Sequence, residues 1–271
     1  MRKKLIIAIW LTIYIILLSL IFIYKIKGDT VLVITNANLK STIVYDVTND
    51  QILYEENAYV KMLPASLTKV LTLLTAYKNI DISKTVLIDE YVLNAVGSKI
   101  YLEIDDVLTI KDLLYGLILQ SGNDAALAIE KAYSNNPQDF ILKMNEEVQK
   151  LGLKNSYFNN SSGLDEKEYN YTTTYDFACI TKETIKYPIL KEILGTKNYQ
   201  VNLDNKTLYF RHKHKLLFMN KFFIGGKTGY TKKAGRTLVS IVENNERTLI
   251  IVTFNDSNDW RTHISLSSKY L

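Results

Sequence analysis

Residues 64–77 read PASLTKVLTLLTAY. Pro64 precedes an apolar run of helical character from about Ser66 to Tyr77. A serine at the start of a helix holds its hydroxyl near the positive end of the helix dipole. Lys69, three residues on, shares its face and lies within reach. A free serine hydroxyl is a poor nucleophile and needs an adjacent base. Lysine serves as that base once it has lost its proton, which burial or a second nearby cation favours. Ser66-x-x-Lys69 is the only S-x-x-K in the chain, yet the pair alone is a weak signal.

Two further motifs give it weight. Ser121-Gly122-Asn123 follows an apolar helix; a serine hydroxyl can relay a proton, and an asparagine can both donate and accept. A second S-x-N at Ser134-Asn135-Asn136 reads as the cap before Pro137. Gly225-Gly226-Lys227-Thr228-Gly229 opens a strand whose glycines admit a substrate backbone closely, leaving Lys227 and Thr228 to hold a carboxylate. A phosphate loop is excluded: it requires glycine five residues before Gly226, where Lys221 stands, and no helix pattern follows. The motifs thus run in the order S-x-x-K, S-x-N, K-T-G, a set shared by β-lactamases and penicillin-binding proteins.

Around the motifs, strand-like runs sit at both ends and helices in the middle. Thr42–Val47 and Gln51–Glu55 flank a Thr48-Asn49-Asp50 turn. Thr109 and Asp112 mark a helix start, Asn136-Pro137 another with its stop at Gly152, and a further helix spans about Thr173 to Tyr187. Val201, Leu208–Phe210, Thr237–Val242 and Thr248–Phe254 read as strands, with Asn244-Asn245 turning the last pair, and an amphipathic segment runs from about Asp259 to Leu271. The pattern implies one α/β unit of the α+β type, in which an antiparallel sheet joins the two ends and a largely helical insert lies between.

The 271 residues begin with an uncharged run, Leu5 to Tyr24. Twenty residues at about 1.5 Å each span about 30 Å, the thickness of a bilayer core. Arg2, Lys3 and Lys4 precede it and no small-x-small cleavage site follows, so the expected division is a cytoplasmic stub (1–4), a transmembrane anchor (5–24), a linker (25–30) and an exported domain (31–271). Secretion after signal cleavage is the alternative. The formal charge of +5 is spread along the chain, too diffuse for nucleic acid and suited to an anionic wall or lipid headgroups. The single cysteine, Cys179, cannot form an internal disulfide and reads as core filler. His212 and His214 alternate on one strand face with no third ligand near in sequence, so no metal and no cofactor is expected.

PASLTKVLTLLTA, IKDLLYGLILQSGNDAALAI, LGLKNSYFNNSSGLD and GGKTGYTKKAGRTLVS resemble the low-molecular-mass penicillin-binding proteins that are serine-type D-Ala-D-Ala carboxypeptidases, and the likeness runs from about Ser41 to the C-terminus. The resemblance implies the penicillin-recognising serine transferase fold: an antiparallel sheet flanked by helices, with a helical lobe. It implies that Ser66 attacks the penultimate D-Ala carbonyl of a peptidoglycan stem peptide, that β-lactam antibiotics acylate the same serine, and that Lys69 takes its proton. Ser121 would pass a proton to the leaving amine, Asn123 would hold Lys69 and the substrate amide, and Lys227 would keep the site cationic. Thr228 would bind the carboxylate beside Gly229, the N–H groups of Ser66 and Tyr230 would form the oxyanion hole, and Arg261 would help recognise the carboxylate.

Two other functions compete with this one. A class A β-lactamase needs a glutamate to position water, and Glu166 with Asn170 has that spacing, but the middle motif is Ser-Gly-Asn and not Ser-Asp-Asn. A non-catalytic, membrane-tethered wall-binding module on the same fold would not need all the motif residues intact.

Overall fold

The computed structural model describes residues 21–26, 29–34, 39–165, 169–204 and 206–271. Strands β1 (Ile21–Ile26) and β2 (Asp29–Ile34) pair as an antiparallel hairpin. This differs from the sequence expectation, which ended an anchor at Tyr24 and placed a linker over 25–30; both runs are rich in β-branched residues, which also suit strands. Residues 5–20 of the expected anchor lie outside the described residues. Among those described, no helix is long and apolar enough to cross a membrane.

The domain proper opens on β3 (Ser41–Asp46) and β4 (Gln51–Glu56). Their turn is held by the Asp46 carboxylate, which accepts the backbone N–H groups of Thr48 and Asn49 at 2.9 and 3.0 Å. A 3-10 turn, Ala65–Leu67, feeds α1 (Thr68–Asn79). A small lobe follows: β5 (Thr85–Leu87), α2 (Glu90–Leu93) and β6 (Val107–Thr109), with β5 and β6 paired. Helix α3 (Ile110–Leu119) starts on a capping box in which Thr109 and Asp112 satisfy each other's backbone N–H, as the sequence predicts. Then come α4 (Asn123–Tyr133), α5 (Pro137–Lys150), α6 (Thr174–Thr184) and α7 (Pro188–Gly195). The helix expected over 173–187 ends early because Pro188 opens a new one, with Pro at its first position. Strands β7 (Asn198–Asn202) and β8 (Thr207–Arg211) form a separate ribbon, and α8 (Leu216–Met219) is one turn. The chain closes with β9 (Phe223–Thr231), β10 (Gly235–Glu243), β11 (Thr248–Phe254) and α9 (Asp259–Tyr270).

The five-stranded sheet has the order β4-β3-β11-β10-β9. Its central pairing, Leu249 opposite Asp46 through Phe254 opposite Ser41, joins the two ends of the chain antiparallel, as the strand–helix–strand pattern implies. Side chains alternate between two cores. Ile43, Val239, Ile241, Ile250, Val252 and Phe254 face the helical mass with Leu67, Leu71 and Phe177. Val44, Val242, Leu249 and Ile251 face α9, meeting Trp260 and Leu266. Cys179 packs, half-buried, against the larger core, and burial pushes its thiol pKa up. The edge strand β9 carries Lys227 past the start of α1, and α3–α4 brings its connecting turn to the same place.

Candidate active site

The turn bearing Ser66 is clamped on both sides. Ala65 holds a left-handed backbone (φ +49°), which costs a non-glycine residue about 1–3 kcal/mol unless its surroundings enforce it. They do: the Thr237 hydroxyl donates to the Pro64 carbonyl at 3.0 Å, and Gly163 lies so close that a Cβ there would sit 1.9 Å from the Ala65 carbonyl oxygen. On β9, a Cβ at Gly229 would lie 3.0 Å from the Ser66 nitrogen. Glycine is thus required where strand and loop press on the serine's backbone.

Lys69 is fully buried one turn below, with its Nζ 3.2 Å from Ser66 Oγ. It donates to Asn123 Oδ1 at 2.7 Å and to the Ser162 carbonyl at 2.6 Å. Burial, assisted by the Lys213 charge and opposed by Asp124, pushes its pKa down to about 7. A neutral amine has two N–H groups and one lone pair. The two carbonyl-type acceptors take both N–H groups, so the lone pair is left for the Ser66 hydroxyl. Burial first, then the charges of Lys69 and Lys213, also drive the pKa of fully buried Lys227 well below its usual value. Its Nζ donates to Ser121 Oγ at 2.9 Å and to the Thr228 carbonyl at 2.8 Å. Ser121 takes a left-handed backbone (φ +61°) in the turn between α3 and α4, which aims its hydroxyl at Lys227 and not along the helix.

These groups border a cleft of about 340 Å³ lined by Ser66, Ser121, Thr228, Gly229 and Tyr230, with Ser98, Lys213, Lys215, Arg236, Asp259 and Trp260. The structure therefore brings together eight of the nine residues expected from sequence. Asn123 sits behind Lys69, its amide N–H bound to the Val96 carbonyl. Arg261 is the exception. It lines a different pocket with Lys40, Thr42 and Tyr54, because successive helical residues point about 100° apart and Trp260 takes the cleft-facing position. The guanidinium in the cleft belongs to Arg236, held by a bidentate pair to Asp259 (2.9 and 3.1 Å).

Lys213 was also missed: β8 ends at Arg211, one residue short of the histidines expected on it, but the in–out alternation continues past its end, so His212 and His214 are buried and Lys213 between them faces the cleft. His214 Nε2 lies 2.8 Å from Ser240 Oγ, and His263 Nδ1 lies 2.7 Å from the same oxygen. Among the described residues no group of three or more His, Cys, Asp or Glu is placed to hold a metal. Glu166 lies outside the described residues. Asn170 is committed to tying its loop to the start of α1, accepting from Asn159 N and Asn160 N and donating to Thr68 Oγ1.

A buried serine–lysine couple, a second serine–lysine couple across from it and an open cleft can move a proton off one hydroxyl and onto a leaving group, which is the requirement of acyl transfer. Known proteins are similar along most of the chain. D-alanyl-D-alanine carboxypeptidase DacF of Bacillus subtilis is 32% identical over 80% of this chain and 57% of its own length. DacC of Escherichia coli is 30% identical over 87% of this chain and 61% of its own. The chain thus spans somewhat over half the length of these relatives. In structure it is similar to the Streptomyces K15 DD-transpeptidase, with a TM-score of 0.73, 27% identity and coverage of 79% of this chain and 88% of that one. Residues 31–258 match the peptidase S11 family, described as D-alanyl-D-alanine carboxypeptidase. The match covers most of the chain, and the chain belongs to that family.

Proposed function

We propose that this chain hydrolyses the terminal D-Ala-D-Ala bond of peptidoglycan stem peptides through an acyl-enzyme on Ser66. The observation that carries this reading is the buried Lys69 amine, 3.2 Å from Ser66 Oγ with both its N–H groups engaged elsewhere. Lys69 takes the Ser66 proton as Oγ bonds to the penultimate D-Ala carbonyl carbon. The oxyanion is received by the N–H groups of Ser66 and Tyr230, an interaction typically supplying about 3 kcal/mol. The C–N bond breaks as Ser121, backed by Lys227, delivers a proton to the leaving D-Ala nitrogen and recovers one from the Lys69 ammonium, which returns Lys69 to the neutral state. Water then adds to the ester as Lys69 accepts its proton, Lys69 passes that proton to Ser66 Oγ as the C–O bond breaks, and the shortened peptide leaves. Asn123 holds Lys69 and the substrate amide, while Thr228 and Gly229 on β9 seat the terminal carboxylate and peptide backbone. A β-lactam enters by the same attack and stays as the Ser66 ester. The leader supports a site for this chemistry outside a bacterial cell membrane: an uncharged run from Leu5 to Tyr24 behind three cationic residues suits a single-pass tether.

The test is incubation with a fluorescent penicillin, followed over time, alongside D-alanine release from a pentapeptide stem. A long-lived adduct absent in Ser66→Ala, together with D-alanine release, is expected. Rapid drug turnover would assign a β-lactamase. No adduct would assign a non-catalytic module, and crosslinked product without hydrolysis would assign a transpeptidase.

A further inference from the structure

Basic residues run the whole length of the chain, but acidic ones do not. Residues 205–242 contain nine Lys and Arg and no Asp or Glu. Lys227 is buried, Lys206 pairs with Glu103 and Asp106, and Arg236 pairs with Asp259. Arg211, Lys215 and Lys221, and Lys197 beside them, are exposed and make no ion pair among the described residues. Large apolar side chains stand out among these cations: Met219 is 72% exposed, and Tyr209, Phe218 and Phe222 are exposed as well. Arg211 lies 4.9 Å from the Phe218 ring centroid, Lys197 5.9 Å from the same ring, and Lys221 5.3 Å from that of Phe222. Tyr209 and Arg211 share one side of β8, and Lys213 carries that side into the cleft.

We infer that this face, built on α8 and β8, beds against an anionic lipid surface with the tips of Phe218, Met219 and Phe222 inserted among the headgroups. Charge selects the partner's sign, since unpaired cations are attracted to anionic headgroups. The apolar tips select lipid over a soluble polyanion, which has no use for them. Aromatic and long aliphatic side chains beside Lys and Arg are the composition that lies in a bilayer interface. Such seating turns the cleft mouth, at Lys213 and Lys215, toward the membrane surface. The inference stands independently of the hydrolytic reading.

The experiment uses the full chain carrying Cys179→Ala and Met219→Cys, labelled at position 219 with an environment-sensitive fluorophore. It is reconstituted into vesicles of phosphatidylcholine alone, or with about one-third phosphatidylglycerol, each holding a lipid-borne quencher. Any leader tether acts equally in both, so the difference reports the face. Quenching at least about twofold stronger in the anionic vesicles is expected, disappearing in about 1 M salt, where the screening length is about 3 Å. The triple variant Lys197→Glu, Arg211→Glu, Lys221→Glu should fall to the phosphatidylcholine level while its thermal midpoint in detergent is unchanged; the salt titration of the parent gives the answer if that variant misfolds. Equal quenching in both vesicle types overturns the proposal. Binding of soluble polyphosphate without quenching at position 219 also overturns it, assigning the face to a polyanion.

Discussion

Lowering the pH from 8 to 5 should slow acylation of Ser66 about ninetyfold. The figure follows from Lys69, whose pKa burial brings down to about 7. The drop from 10.5 represents on the order of 5 kcal/mol against the charged amine, most of it the cost of burying an ammonium, with the Lys213 charge adding to it and Asp124 opposing it. With a pKa near 7, roughly 1% of the enzyme holds the neutral base at pH 5 and roughly 90% at pH 8. The sign is fixed by the chemistry: the base must be unprotonated, so the rate rises with pH through 7 and levels off above 8. The assay is the second-order rate constant for a fluorescent penicillin, measured at constant ionic strength between pH 5 and 9.5, because that constant reports the free enzyme. An unperturbed lysine would instead give a rate still climbing at pH 9.5. Either that continued climb or a flat profile from 5 to 8 would refute the assignment of Lys69 as the base. Removing Lys213, the second cause of the depression after burial, should move the midpoint upward in Lys213→Ala.

Three substitutions probe the surrounding architecture. Gly163→Ala forces a Cβ against the Ala65 carbonyl at a left-handed backbone (φ +83°), so it should cost about 2 kcal/mol or more and lower the calorimetric Tm by roughly 4–8 °C; an unchanged Tm would show that this loop does not clamp the nucleophile's turn. Glu130, buried beneath the Ser161-Ser162 loop, accepts from the hydroxyls of Ser161 and Tyr91, and burial raises its pKa. Glu130→Ala should destabilise by about 1–3 kcal/mol in denaturant titration and slow acylation, since the Ser162 carbonyl that holds Lys69 loses its support, whereas Glu130→Gln should recover much of both. Arg236→Gln should raise KM for a peptide ending in a free carboxylate on the order of tenfold, and Arg261→Ala should leave it within about twofold; the reverse ranking would return the carboxylate contact to α9.

The parts of this protein legible in its sequence are those in which a local pattern carries the decision. The capping box at Thr109 and Asp112, the Asn136-Pro137 start and the Asn244 turn each depend on side chains bonding their own neighbours, and each stands where the sequence puts it. The strand-like runs at β3, β10 and β11 likewise stand where the sequence puts them, and their near-continuous apolar residues fill the cores on both faces of the sheet. What escaped depends on distant contacts. Helix α7 hid behind α6 because the periodicity runs through Tyr187 until Pro188 interrupts it. Arg261 was carried over on sequence resemblance alone, but a helical step of one residue decides whether a side chain enters the cleft, and Trp260 with Asp259 occupies that side. No pattern within a short window connects Arg236 to Asp259, 23 residues away, or Lys69 to the carbonyl of Ser162, 93 residues away. That carbonyl is the most informative of the missed contacts. Ser66 and Lys69 identify a possible nucleophile and base, but only a second acceptor beside Asn123 accounts for both N–H groups of a neutral amine and leaves its lone pair to the serine. The motif supplies the atoms, and the NSSGLD loop, read from sequence only as a family likeness, sets the state in which Lys69 can act.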